Sequence, residues 1–242
     1  MKGEYFDQEP IHAQIGYQRI TSVKPNHPIP GGMRFFSERG PLDVYFYAPG
    51  VIRFNFQVKE VFDYGLLVGC KNDVDCELIH SNSSLIIQSE DVSVEIIYSP
   101  FSIKIKNGDK NLIESITDFG MEGKSRFHPF SYTDDNTWQI SLALKSGEAV
   151  FGLGEKFGKL NHRGELITSW NYDSLGINSE RCYKNNPFAW SPEGWGLLVH
   201  TPGKVIHAVG YAPWSHRSYI LRVEDLNLDF FFFVGDSPKE IL

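Results

Sequence analysis

The chain has 242 residues, of which 41% are hydrophobic and 22% charged, and it carries a formal net charge of −7. This composition supplies a sizeable core, as one all-β domain or two smaller ones, and argues against disorder. The negative field repels polyanions, so nucleic acid and anionic membrane are poor partners, and no apolar run approaches the roughly 20 residues of a membrane span.

The opening "MKGEYFDQEPIHAQIGYQ" lacks the basic and apolar regions of a secretory signal. Cys70, Cys76 and Cys182 are too few and of the wrong parity for a disulfide scaffold, and they lack metal-ligand spacing. They are read as free thiols in a reducing compartment, which implies a cytoplasmic protein with no metal and no cofactor.

Along the chain, short β-type runs alternate with turn signals, the pattern of an all-β sandwich or barrel. In "VYFYAPGVIRFNFQV" two runs flank Pro49-Gly50, with Val51, Arg53 and Asn55 alternating against Ile52, Phe54 and Phe56. Further on, Ser102, Lys104 and Lys106 alternate with Ile103 and Ile105, as in a half-buried strand. Asn107-Gly108 is a favoured pair for a tight hairpin turn, with "NLIES" as the returning partner. "NSS" at Asn82 matches a glycosylation acceptor, which without a secretory signal is a chance match. "TWQISLAL" and "GWGLLVHT" read as further strands, while Phe230 to Phe233 do not alternate and suit a strand buried on both faces. No window holds a convincing helical stripe, and no linker divides the chain.

"FGLGEKFGKL" places Gly152, Gly154 and Gly158 after a strand-like run. Both phosphate-loop templates fail and no helix follows, so these glycines are expected to serve a tight strand connection, with Glu155 as a capping acid or a ligand contact. "APWSHRSY" contains His216, read as an exposed turn histidine. From Trp170 to Phe188, aromatic residues sit beside Asn171, Asp173, Arg181, Lys184, Asn185 and Asn186. A sugar site needs flat apolar rings with polar groups beside them, but a solvated surface loop has the same composition, and both readings stand at this level. Nothing local nominates the carboxylate pair of a glycosidase, and the G-x-S-x-G elbow of a serine hydrolase is absent. "GDSPKEIL" closes the chain with a helix start, capped by Asp236 or Ser237 with a proline in the first turn. One turn cannot sustain itself in water.

Taken together, Phe151 to Phe157, Trp170 to Asp173, Tyr183 to Phe188 and Gly194 to Val199 read as F-G-L-G-E-x-F, W-N-x-D, Y-K-N-x-P-F and a G-x-G-L-L-V strand. In this order they resemble the N-terminal domain of glycoside hydrolase family 31, the α-glucosidase and α-xylosidase family. The resemblance implies an all-β, galactose-mutarotase-like β-sandwich over residues 1–235. Residues 236–242 would then be the first turn of a helix leading into a (β/α)8 catalytic barrel beyond the chain. Both catalytic aspartates of such a retaining α-glycosidase would lie on that barrel and none in this chain. The barrel and an α-linked oligosaccharide would be its partners, with room for a homo-oligomer in the whole enzyme. The resemblance carries a sugar-contacting role onto Asp173. Trp170, Asn171, Tyr183 and Lys184 would fix the loop. Tyr172 stands where W-N-R-D versions have a basic residue, and "SLGINSERC" departs from the family pattern. The alternative is a stand-alone carbohydrate-binding sandwich. A mutarotase-like epimerase would need a histidine motif that the sequence does not reveal.

Overall fold

The computed structural model describes residues 16–59, 64–67, 74–119, 125–173 and 181–242. Cys70 and most of the "SLGINSERC" departure lie outside the described residues. The described residues form three main antiparallel sheets and a small two-stranded one. The largest has eight strands in the spatial order Phe151–Gly152, Phe188–Ser191, Trp195–Val199, Leu228–Val234, Val51–Phe56, Gly40–Ala48, Gly32–Ser37 and Val23–Ile29. A six-stranded sheet runs Gln18–Arg19, Phe130–Tyr132, Thr137–Ala143, Ser218–Glu224, Val205–Val209 and Glu165–Ser169. Five strands between Glu77 and Glu114 form the third.

The expected alternation puts the core where it lies. Phe54, Phe56, Phe230 and Phe232 of the large sheet are buried in one cluster with Trp138, Ile140 and Leu221 of the six-stranded sheet and Ile87, Val94 and Ile105 of the five-stranded one. Phe54 stacks on Phe230 within the large sheet, with ring centroids 4.9 Å apart. Phe56 reaches Trp138 across the interior at 4.9 Å. Burying these rings is the dominant favourable term of the fold.

The phenylalanine run behaves as expected for a strand between layers. Phe230 and Phe232 enter the core, while Phe231 is equally buried outside that cluster, its ring edge-on to Tyr47 at 5.2 Å. The same alternation sets Asp43, Asn55 and Asp229 directly opposite one another on three adjacent strands, all buried. Asp229 takes a two-pronged ion pair from Arg53, at 2.9 and 2.6 Å.

Two local expectations are corrected. Asn107 pairs with Lys110 as the last strand residue, so the hairpin turn is centred on Gly108-Asp109 rather than on Asn107-Gly108. Gly108 alone takes positive φ, +54°, while the Asn107 amide is held by Asp236 at 2.9 Å. At the C-terminus a helix of four residues, Pro238–Ile241, forms, but the Ser237 side chain makes no capping bond. Instead the Asp236 backbone N–H donates to the Glu240 carboxylate at 2.8 Å. The turn is held by burial of Ile241 against Gly196, where a Cβ would lie only 2.7 Å from the isoleucine Cγ2. Tertiary packing supplies what one turn lacks.

Candidate functional site

Three separated motifs meet at the end of the Glu165–Ser169 strand. The chain leaves the Phe151–Gly152 strand through three consecutive residues of positive φ: Gly152 at +106°, Leu153 at +64° and Gly154 at +82°. That conformation is uncommon for a bulky residue and costs of order 1–3 kcal/mol, so the surroundings must enforce it. The packing is close. A Cβ at Gly152 would lie 2.4 Å from the Phe188 carbonyl, and one at Gly154 would lie 2.3 Å from the Lys184 carbonyl. Gly-Leu-Gly is therefore a junction between strands, as expected, and not a phosphate cradle. Buried His162 secures it, with Nε2 at 3.1 Å from the Gly152 carbonyl and Nδ1 at 3.1 Å from Glu165.

The loop itself is organised around Asn185. Its amide N–H groups donate to the carbonyls of Trp170 at 2.6 Å and Cys182 at 2.9 Å, and to the side-chain oxygen of Asn171 at 2.9 Å. Its side-chain oxygen accepts from the Lys156 ammonium, which also donates to the Thr168 carbonyl at 2.7 Å. Asn171 forms an isolated parallel bridge with Cys182. Lys156 and Asn185 are thus the clamp that sequence reading missed, although both lie inside the quoted motifs. Asn185→Ala should cost about 2–3 kcal/mol, because it strands several polar groups at once. Chemical denaturation checks this, and a loss under about 0.5 kcal/mol would remove Asn185 from that role.

The predicted supports are placed as follows. Asn171 joins the clamp through its side chain, and Trp170 through its carbonyl alone. The Lys184 carbonyl accepts from the Glu155 N–H at 3.0 Å, while its ammonium, 74% exposed, pairs with the Glu155 carboxylate at 3.1 Å. Such an exposed pair contributes little. Glu155 caps no helix, because none follows, which corrects the expected capping role. Tyr183 is exposed. Tyr172 lies under the Arg181 guanidinium at 5.3 Å from the ring centre, so a cation returns beside W-N-x-D from elsewhere in the loop. Asp173 is exposed, and among the described residues its carboxylate has no hydrogen-bond partner. His216 is exposed in a turn, as expected.

Beneath the loop, the buried His207 ring bonds the Ser169 hydroxyl through Nε2 at 3.1 Å and the Tyr219 hydroxyl through Nδ1 at 2.7 Å. Burial pushes its pKa down to about 3, and the nearby positive charge of Lys156 acts in the same sense. The ring is neutral, and two adaptable hydroxyls satisfy either tautomer.

Beside the loop opens a cleft of about 570 Å³ whose walls include Trp170, Asn171, Asn186, Leu66, His200 and Thr201. The His200 Nδ1 lies 2.7 Å from Asp229, itself paired with Arg53. Among the described residues no three His, Cys, Asp or Glu side chains converge to hold a metal ion.

The sequence from residue 41 to residue 206 matches the family described as the glycosyl hydrolase 31 N-terminal galactose mutarotase-like domain. The chain belongs to this family. Over 101 residues, the GH31 domain described here is 40% identical to an alpha-xylosidase of Emericella nidulans, covering 42% of this chain and 13% of that protein. It is 31% identical over 110 residues to an alpha-xylosidase of Lactiplantibacillus pentosus, covering 46% and 14%. Its fold is that of the Flavobacterium johnsoniae GH31 dextranase solved with isomaltotriose, with a TM-score of 0.74 and 21% identity over 93% of this chain and 27% of that one. The matched stretches thus span about one seventh of the length of the two alpha-xylosidases. The sandwich expected from the motifs is the one observed.

Proposed function

We propose that this GH31 domain serves as the N-terminal sandwich of a retaining α-glycosidase and presents Asp173 to an α-linked oligosaccharide at the mouth of a (β/α)8 barrel. The observation that carries the reading is the convergence of the three motifs on one clamp, with an exposed carboxylate at its end that has no partner among the described residues. A carboxylate so placed accepts from sugar hydroxyls, while bond cleavage falls to the barrel aspartates. The greater similarity to alpha-xylosidases than to the alpha-glucosidase 2 of Bacillus thermoamyloliquefaciens, at 21% identity, favours an α-xyloside. Cys76 and Cys182 as free thiols fit a reducing, cytoplasmic compartment.

In the whole enzyme, Asp173→Ala should lower kcat/KM on an α-linked disaccharide by about 1–3 kcal/mol of transition-state stabilisation, the scale of one charge-assisted hydrogen bond. Steady-state kinetics test this, and unchanged kinetics would take Asp173 out of the site. The 242-residue chain by itself should not hydrolyse an aryl α-xyloside or α-glucoside. Turnover that survives purification would overturn the assignment.

A further inference from the structure

We propose that the cleft beside the loop is a carbohydrate-binding site in its own right, holding one pyranose of an α-linked oligosaccharide without any other domain. The ligand class rests on the glycosidase reading above. The cleft's volume, about 570 Å³, falls within the range of small-molecule sites, and its walls combine the two surfaces a pyranose needs.

The apolar surface is Trp170. Its carbonyl accepts from Asn185, its side chain makes no hydrogen bond among the described residues, and the residue is 41% exposed on the cleft wall. Among the described residues no other ring packs against its indole. An exposed indole beside a cleft offers a flat face for the C–H side of a sugar ring.

The polar surface is arranged around it. The Asn171 side-chain oxygen is occupied by two Asn185 N–H groups, at 3.2 and 2.9 Å, which leaves its own amide N–H groups as donors. Asn186 is exposed, and among the described residues its side chain makes no hydrogen bond. His200 is 4% exposed, and its orientation is fixed by Asp229, which Arg53 in turn holds. Its other nitrogen, Nε2, is sealed from solvent and has no protein partner among the described residues. Native interiors rarely leave such an atom unsatisfied. That nitrogen is closed off beneath the cleft, so the polar groups open to a ligand are those of Asn171 and Asn186.

The test is calorimetric titration of the 242-residue chain with isomaltotriose, maltotriose and a xylose-bearing glucan oligosaccharide, followed also by tryptophan fluorescence. Saturable binding with Kd on the order of 1 mM is expected for at least one of them. Trp170→Ala should weaken it about tenfold with an unchanged melting temperature, and Leu160→Ala, a highly exposed residue away from the cleft, should leave it unaltered. Absence of saturable binding, or binding untouched by Trp170→Ala, overturns the proposal. The underlying reading fails separately. Hydrolysis by the whole enzyme with no binding by the chain would sink the cleft alone. Binding by the chain without hydrolysis by the whole enzyme would sink the glycosidase reading and leave the cleft as a binding site.

Discussion

Asp229→Ala should destabilise the protein by about 3–5 kcal/mol, the cost of removing one partner of a buried ion pair and leaving the other charge uncompensated. Arg53 and Asp229 have side chains only 12% and 6% exposed, and the pair is two-pronged. Burial works against the Arg53 charge. The hydrogen bonds and charge of Asp229, with Tyr45 behind them, nevertheless hold the guanidinium pKa above its ordinary value. The variant would also strip His200 of its Nδ1 partner. Urea denaturation measures the loss, which corresponds to a melting point lower by roughly 10 °C. Asp229→Asn, which keeps an acceptor for both neighbours, should lose less. A cost below about 1 kcal/mol for the alanine variant would mean that water compensates Arg53, and that this sheet face is open in solution.

Acidification should weaken the fold through His207. Its pKa is pushed down to about 3 from an ordinary 6.5, first by burial and then by Lys156 and His162. Below pH 6.5 the unfolded chain therefore binds a proton that the folded chain refuses. Stability falls as pH drops from 6.5 towards 3 and is insensitive to this group above about 7, with a slope near 1.4 kcal/mol per pH unit. Between pH 6.5 and 4.5 the loss should be about 2 kcal/mol, superimposed on the contribution of the carboxylates. The difference in slope between wild type and His207→Gln isolates it, and parallel curves would show that the ring takes up its proton without unfolding. Lys156→Met should raise the pH at which this loss levels off, because the nearby ammonium contributes to the depression.

Much of this architecture was legible as alternation. The Ser102–Asn107 and Lys110–Glu114 hairpin and the doubly buried Phe231 follow from which residues are apolar and how they repeat. The hairpin turn lies one residue further on, at Gly108-Asp109, and the Asn107 amide has a distant partner in Asp236, which no local pattern announces. At the site, the ordered motifs identified the family and nominated the loop. The resemblance then nominated Tyr183 and Lys184 as loop supports; both side chains are exposed, and the Lys184 carbonyl accepts from Glu155. Asn185 and Lys156, less conspicuous in composition, also hold the loop.

The sequence by itself determined the all-β class, the inward faces of the strands and the family, because a period of two and a set of ordered motifs are written within short stretches of chain. Only the tertiary structure decided which polar groups meet. Lys156 finds Asn185 across 29 positions and Arg53 finds Asp229 across 176. A buried charge or amide must be matched by a partner, and strand order brings that partner from anywhere in the chain. That pairing turned a polar loop into a held one.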